Sequence, residues 1–145
     1  MNIDDDYKIL HVVFQTTHIL KNDFKKFSNH LGLSEMEIKF LLSIGGGNNK
    51  ISTLISFFNK HKSTITQKIN SLEEKKYIVI SSSEKDKRER IIALTAKGKH
   101  LYIKATAIKK EYIQKVFSTF TRKEKKQLLQ LLEKLSQHTH HENIC

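Results

Sequence analysis

Proline and tryptophan are absent from this chain, and its one cysteine is Cys145. Without proline, no helix interior loses a backbone donor to a pyrrolidine ring, so long uninterrupted helices are permitted. A single cysteine excludes an intrachain disulfide, and a reducing, cytoplasmic setting is the expectation. No stretch approaches the ~20 apolar residues of a membrane span. Asp4, Asp5 and Asp6 are opposite in sign to the basic start of a secretion signal. Glycine is scarce, and three of the 5 glycines form one cluster, Gly45-Gly46-Gly47, followed by Asn48-Asn49. No Gly-Lys-Ser/Thr follows that cluster, which makes it a turn and not a phosphate loop.

Positive charge is what the chain has in excess. Lysine and arginine number 26 against 15 acidic residues, a net +11 in 145 residues. Residues 48–100 hold 12 basic and 5 acidic side chains, the largest share of the excess. A polyanion docking on that middle segment is the functional reading, and a lysine-rich solvated surface is the plain one. At 38% hydrophobic and 28% charged, the composition is that of one globular domain with a core.

Tyr7, Leu10, Phe14, Thr17, Leu20, Phe24, Phe27 and Leu31 recur at steps of three or four, the stripe of a long helix over residues 5–31. Ser34 and Glu37 form a capping box for a second helix, with Ile38, Leu41, Leu42 and Ile44 inward. Ile51, Leu54, Ile55 and Phe58 have the spacing of a short third helix, with Ser52 as its N-cap. Asn59 is placed in a tight turn. A fourth helix from about Lys62 to Lys76 puts Ile65, Ile69 and Leu72 in the core. At ~100° per residue, Ser63, Thr66, Gln67 and Asn70 lie on the opposite side.

Two helices joined by a short turn make a helix-turn-helix, whose second helix can enter a DNA major groove. Gln, Asn, Ser and Thr supply the donors and acceptors that base edges require, although a polar helix face is also ordinary. Residues 77–83 and 89–95 then read as two β-branched strands. Between them Glu84 to Arg90 are charged without interruption. Such a hairpin after the second helix is a wing, with an apolar base that docks and a basic tip that reaches outward. The expected fold class is mainly α with a small β-hairpin wing.

The segment "DKRERIIALTAKG" resembles the wing of MarR-type transcription regulators, with Asp86, Arg88, Leu94, Thr95 and Gly98 on the pattern. "LSEMEIKFLL" and "KSTITQKINSLEEKKYI" are similar to that family's second helix and to its recognition helix with the step into the wing. The likeness runs in register from about Leu33 to Leu101. Tyr77 is read as occupying the place of a turn glycine. The resemblance implies one MarR-like domain over 1–145, with a winged helix-turn-helix core over 33–100 and dimerisation helices over 5–31 and 99–138. It implies a homodimer on double-stranded DNA carrying a pseudo-palindromic operator, repression, and release by a small aromatic or phenolic effector. Residues expected at the DNA are Lys62, Ser63, Thr64, Thr66, Gln67, Lys68 and Asn70 on the helix. Lys85, Lys87, Arg88 and Arg90 are expected there on the wing, with Arg88 in the minor groove. Asp86 is expected to organise the wing by pairing with Arg88 or Arg90.

Thr121 and Glu124 form a second capping box, opening a last helix from about Arg122 to Gln137. Its Leu128, Leu129, Leu131, Leu132 and Leu135, with the first helix, give more apolar face than one wing domain covers. The tail His138, His140, His141, Glu142 and Cys145 matches no closed zinc spacing, so no metal or cofactor is expected. No nucleophile, base and orienter can be assembled, so the chain is not expected to be an enzyme. The alternative function is an architectural DNA-binding or helical interaction protein without sequence preference.

Overall fold

The computed structural model describes residues 3–58, 60–85 and 87–141. In order, these form α1 (Ile3–His30), α2 (Glu35–Gly45), α3 (Ile51–Phe58), α4 (Lys62–Glu74), β1 (Ile78–Ser82), β2 (Arg90–Leu94), α5 (Ala96–Val116) and α6 (Arg122–His141). The expected class, helices with one hairpin, is what the backbone adopts. Two units divide the chain, Met1–Thr106 and Ala107–Cys145.

The core of the first unit is built on α2 and α4. Ile38, Phe40 and Leu41 of α2, Leu54 of α3, Ile65, Ile69 and Leu72 of α4, Ile78 of β1 and Ile92 of β2 are all at most 1% exposed. Each such side chain contributes about 1.5–3 kcal/mol of burial. Two assignments change. Leu42, expected inward, is half-buried, whereas Phe40 is fully buried and meets Phe58 edge-on at 4.8 Å between ring centroids. Ser52 is not the N-cap of α3. Lys50 is still extended, bridged to Ile91, and its carbonyl accepts the Leu54 N–H at 3.2 Å, so the helix starts at Ile51, two residues earlier than a Ser52 cap implies.

The hairpin pairs Ile78 with Leu94 and Ile80 with Ile92 on its inner face. Its outer face carries Val79, 52% exposed, opposite Ala93. Asn49 and Lys50 extend the sheet by one rung, since the Ile92 N–H donates to the Asn49 carbonyl at 2.7 Å.

Three helices end on one backbone device. After α1, α2 and α4 the chain makes paired 6→1 and 5→2 hydrogen bonds: Leu33 and Gly32 to Ser28 and Asn29, Asn48 and Gly47 to Ser43 and Ile44, Tyr77 and Lys76 to Leu72 and Glu73. This Schellman arrangement needs a left-handed residue just past the cap. Gly32 (φ 70°) and Gly47 (φ 109°) supply it, but at α4 the residue is Lys76 (φ 62°). The turn-glycine position therefore lies at Lys76 and not, as read from the sequence, at Tyr77. A non-glycine residue there costs about 1 kcal/mol. Lys76→Gly is expected to raise thermal and urea stability by about that amount, and a lower urea midpoint would show that the lysine itself is needed.

Only the end of the α1 stripe is covered within the first unit. Leu31 is buried and Phe24 and Phe27 are half-buried, 5.7 Å apart, whereas Tyr7 and Phe14 are each 69% exposed. The second unit repeats the pattern. Phe117 and Phe120 pack at 5.7 Å, and Thr121 and Glu124 close the predicted capping box. Leu129, Leu131 and Leu132 of α6 remain exposed.

Candidate nucleic-acid interface

Pinning Ile65, Ile69 and Leu72 in the core decides which residues of α4 face outward. Lys62, Ser63, Gln67 and Asn70 are exposed, while Thr64, Thr66 and Lys68 are half-buried at the edges of that face. These side chains are neutral hydrogen-bonders or lysines, while at the C-terminal end of the helix the exposed Glu73 and Glu74 follow, Glu74 beside Gln67 and Asn70. His61 is the N-cap residue and makes no side-chain hydrogen bond to the first turn. A first turn without a side-chain cap keeps free N–H groups and the positive end of the helix dipole, which favours an anion. Asn59, placed in the preceding turn, lies outside the described residues.

A buried carboxylate sets the lie of α4. Glu37 closes the α2 capping box, accepting the Ser34 N–H at 2.7 Å while its own N–H donates to Ser34 Oγ. The same carboxylate accepts Ser71 Oγ at 2.6 Å and Lys75 Nζ at 2.7 Å, both from the C-terminal half of α4 and the residue that caps it. Burial pushes this carboxyl up, but the bonds from Lys75, Ser71 and Ser34 outweigh it and hold the group at about 2. One side chain thus ties the start of α2 to the C-terminal half of α4.

The wing loop carries Lys85, Lys87, Arg88 and Arg90, all exposed. Its base is closed by the Ser83 N–H donating to the Glu89 carbonyl at 2.8 Å and by the Lys85 N–H donating to Ser83 Oγ at 3.2 Å. Glu89 turns back and pairs with Lys50 at 2.8 Å. The unbroken charge run is therefore divided by role, since Glu89 staples the hairpin to the α2–α3 connection and the cations face out. Asp86, expected to organise the wing, lies outside the described residues.

Thr95 locks the wing to α5. Its hydroxyl donates to the Lys76 carbonyl at 2.7 Å and accepts the Gly98 N–H at 3.0 Å, and its N–H donates to the Tyr77 carbonyl at 3.1 Å. Sequence reasoning missed the Glu37–Ser71–Lys75 and Lys50–Glu89 links. No local spacing announces them, because the partners stand 34 to 39 residues apart. Among the described residues no cluster of His, Cys, Asp and Glu could hold a metal ion, and no helix is long and apolar enough to cross a membrane. The side chains of His140 and His141, with Glu142 and Cys145, lie outside the described residues.

Residues 31–98 match the model of a winged helix DNA-binding domain. Over 62 residues the chain is 44% identical to the HTH-type transcriptional regulator BilQ of Clostridium symbiosum, a match spanning 43% of this chain and 42% of that protein. A MarR protein from Peptoclostridium difficile superposes with a TM-score of 0.75 at 24% identity, over 90% of this chain and 86% of the other. The chain carries a winged helix domain and has the MarR fold. A MarR-family regulator from Listeria monocytogenes complexed with a 26mer DNA (TM-score 0.74, 18% identity, 89% and 87% covered) has the same fold. So does MepR of S. aureus in its DNA complex (TM-score 0.75, 19% identity, 89% and 96% covered). The MarR resemblance of the sequence is thereby borne out.

Proposed function

We propose that this protein is a MarR-type, sequence-specific transcriptional regulator of double-stranded DNA, acting in the cytoplasm as a homodimeric repressor on a pseudo-palindromic operator. The observation that carries the reading is the outward face of α4. Exposed Ser63, Gln67 and Asn70 lie on a helix that the core holds rigidly, beside a wing with four exposed cations. That two structures of the same fold were solved with DNA supports a DNA partner. In this reading α4 lies in the major groove, Arg88 enters the flanking minor groove, and Asp86 braces the wing. The exposed apolar stripes of α1 and α6 support helices 5–31 and 99–138 as the dimer interface. A small aromatic or phenolic effector would release the operator.

Gln67→Ala is expected to cost about 1–3 kcal/mol on a site selected from random DNA and to relax base preference there. Lys62→Ala should weaken all sequences alike and reduce the salt slope by about one unit. Fluorescence anisotropy on selected and scrambled duplexes separates the two. If Gln67→Ala weakens both duplexes equally, α4 does not read bases, and the net +11 instead favours architectural binding without sequence preference.

A further inference from the structure

A groove of about 710 Å³ opens between the end of α1, the start of α2 and the start of α4. Lys25, Lys39, Lys60 and Lys68 line it together with His61, and Glu35 is its one acidic lining residue. Three elements far apart in sequence thus bring four ammonium groups to one concavity. None of the four is in an ion pair among the described residues. Lys39 is also steadied in place, its Nζ 5.4 Å from the centre of the Phe24 ring.

The position of the groove matters as much as its charge. Thr64 and Lys68, which form one wall, stand one turn apart on the flank of α4. Lys68 also borders the hollow beside Gln67 and Asn70. The groove is therefore continuous with the face assigned to base readout. His61, the N-cap without a side-chain bond to its helix, stands at the junction. A DNA strand that leaves the groove floor next to a recognition helix presents its phosphates to the protein surface flanking that helix.

We propose that this groove is a backbone-phosphate clamp, with Lys25, Lys39 and Lys60 extending the DNA footprint from α4 onto α1 and α2. The assignment rests on the DNA-binding reading above and adds three residues that neither helix-turn-helix nor wing spacing points to. Such a clamp contributes affinity and register but no base preference, because phosphates carry no sequence information.

The test removes charge and keeps length. The full chain carrying Lys25→Gln, Lys39→Gln and Lys60→Gln is titrated with short duplexes, one bearing the selected site and one scrambled, across a range of salt. A control chain carries Lys76→Gln, which removes one charge at an exposed position outside the groove, the outward residues of α4 and the dimerisation helices. The slope of log K against log salt should fall by about 0.9 for each phosphate that is no longer neutralised, so by up to about 2.7 units per chain for the three lysines. Both duplexes should be weakened by the same factor, and the control should keep the wild-type slope. Lys60→Gln alone should give part of the change. If wild type and groove variant share one slope, the lysines are solvated surface and the clamp is wrong, while DNA binding itself stands. If the wild-type chain binds no duplex in a salt-dependent way, the DNA-binding reading falls and the clamp with it.

Discussion

Gly98→Ala is expected to lower the stability of the folded chain by about 3 kcal/mol or more, the largest effect of any single methyl group added to the wing domain. A Cβ at this position would overlap the Tyr77 carbonyl oxygen and stand 2.9 Å from its carbon. Overpacking a side chain into side chains costs typically about 1–3 kcal/mol because rotamers can move. Here the obstacle is backbone, and that backbone is itself held. The same Tyr77 carbonyl accepts the Thr95 N–H, while the Thr95 hydroxyl grips the Lys76 carbonyl and caps Gly98. Relief therefore means moving α5 off the start of β1 and breaking the lock between wing and helix. A urea midpoint lowered by roughly 1–2 M is the expected reading, with wild type and variant compared at equal protein concentration because assembly contributes to stability. Gly46→Ala is the control, since its Cβ would meet nothing nearer than the Leu42 carbonyl oxygen at 3.3 Å. A Gly98→Ala protein with the wild-type midpoint would mean that α5 and β1 do not approach this closely.

The same glycine shows what the sequence made legible and what it did not. Its place in the pattern Leu94-Thr95-x-x-Gly98 could be read directly, but the reason could not, because Tyr77 stands 21 residues away in the chain. Helix periodicity located α1, α2, α4 and α6 well, since an apolar residue every three or four positions has one geometric meaning. It failed at Phe40 and Leu42, which stand about 200° apart on the wheel, because Phe58 of α3 covers Phe40 on the side that the spacing of α2 alone left to solvent. Among Gly45, Gly46 and Gly47 the sequence showed a turn and no more. In the structure Gly47 supplies the positive φ, whereas Gly45 is helical and lies under the Tyr102 ring, whose Cγ would be 2.6 Å from an added Cβ. Of the candidate interface, the outward residues of α4 followed from the core residues of the same helix. Lys25, Lys39 and Lys60 did not, because a groove made by three elements has no signature in any one of them.

Local capping and long-range positioning meet in one side chain, and that is where a second large effect is expected. Glu37→Gln should lower stability at neutral pH by about 2–3 kcal/mol. The amide can still accept the Ser34 N–H, so the α2 cap survives in part, and Lys75, with its side chain 39% exposed, can turn to water. What disappears is the ionised carboxylate that draws Ser71 and Lys75 toward α2. The carboxyl sits at about 2 in the folded chain against 4.5 for an ordinary glutamate, so the unfolded state binds its proton first. A folded pKa below the unfolded one means stability that is fully present above about pH 4.5 and is lost as pH falls toward 2, roughly 3 kcal/mol over the window. Glutamine cannot titrate, so the gap between wild type and Glu37→Gln should be full at pH 7 and pH 5, and narrower at pH 3.5. Urea midpoints at those three values measure it. A gap that stays constant with pH would mean that the carboxylate acts through shape and hydrogen bonding alone, whatever its charge. A gap that closes on acidification would identify the ionised Glu37 as what holds α4 to α2. Affinity for DNA should then fall in Glu37→Gln at neutral pH even under conditions where both proteins are fully folded, because the C-terminal half of α4 would no longer be fixed to α2.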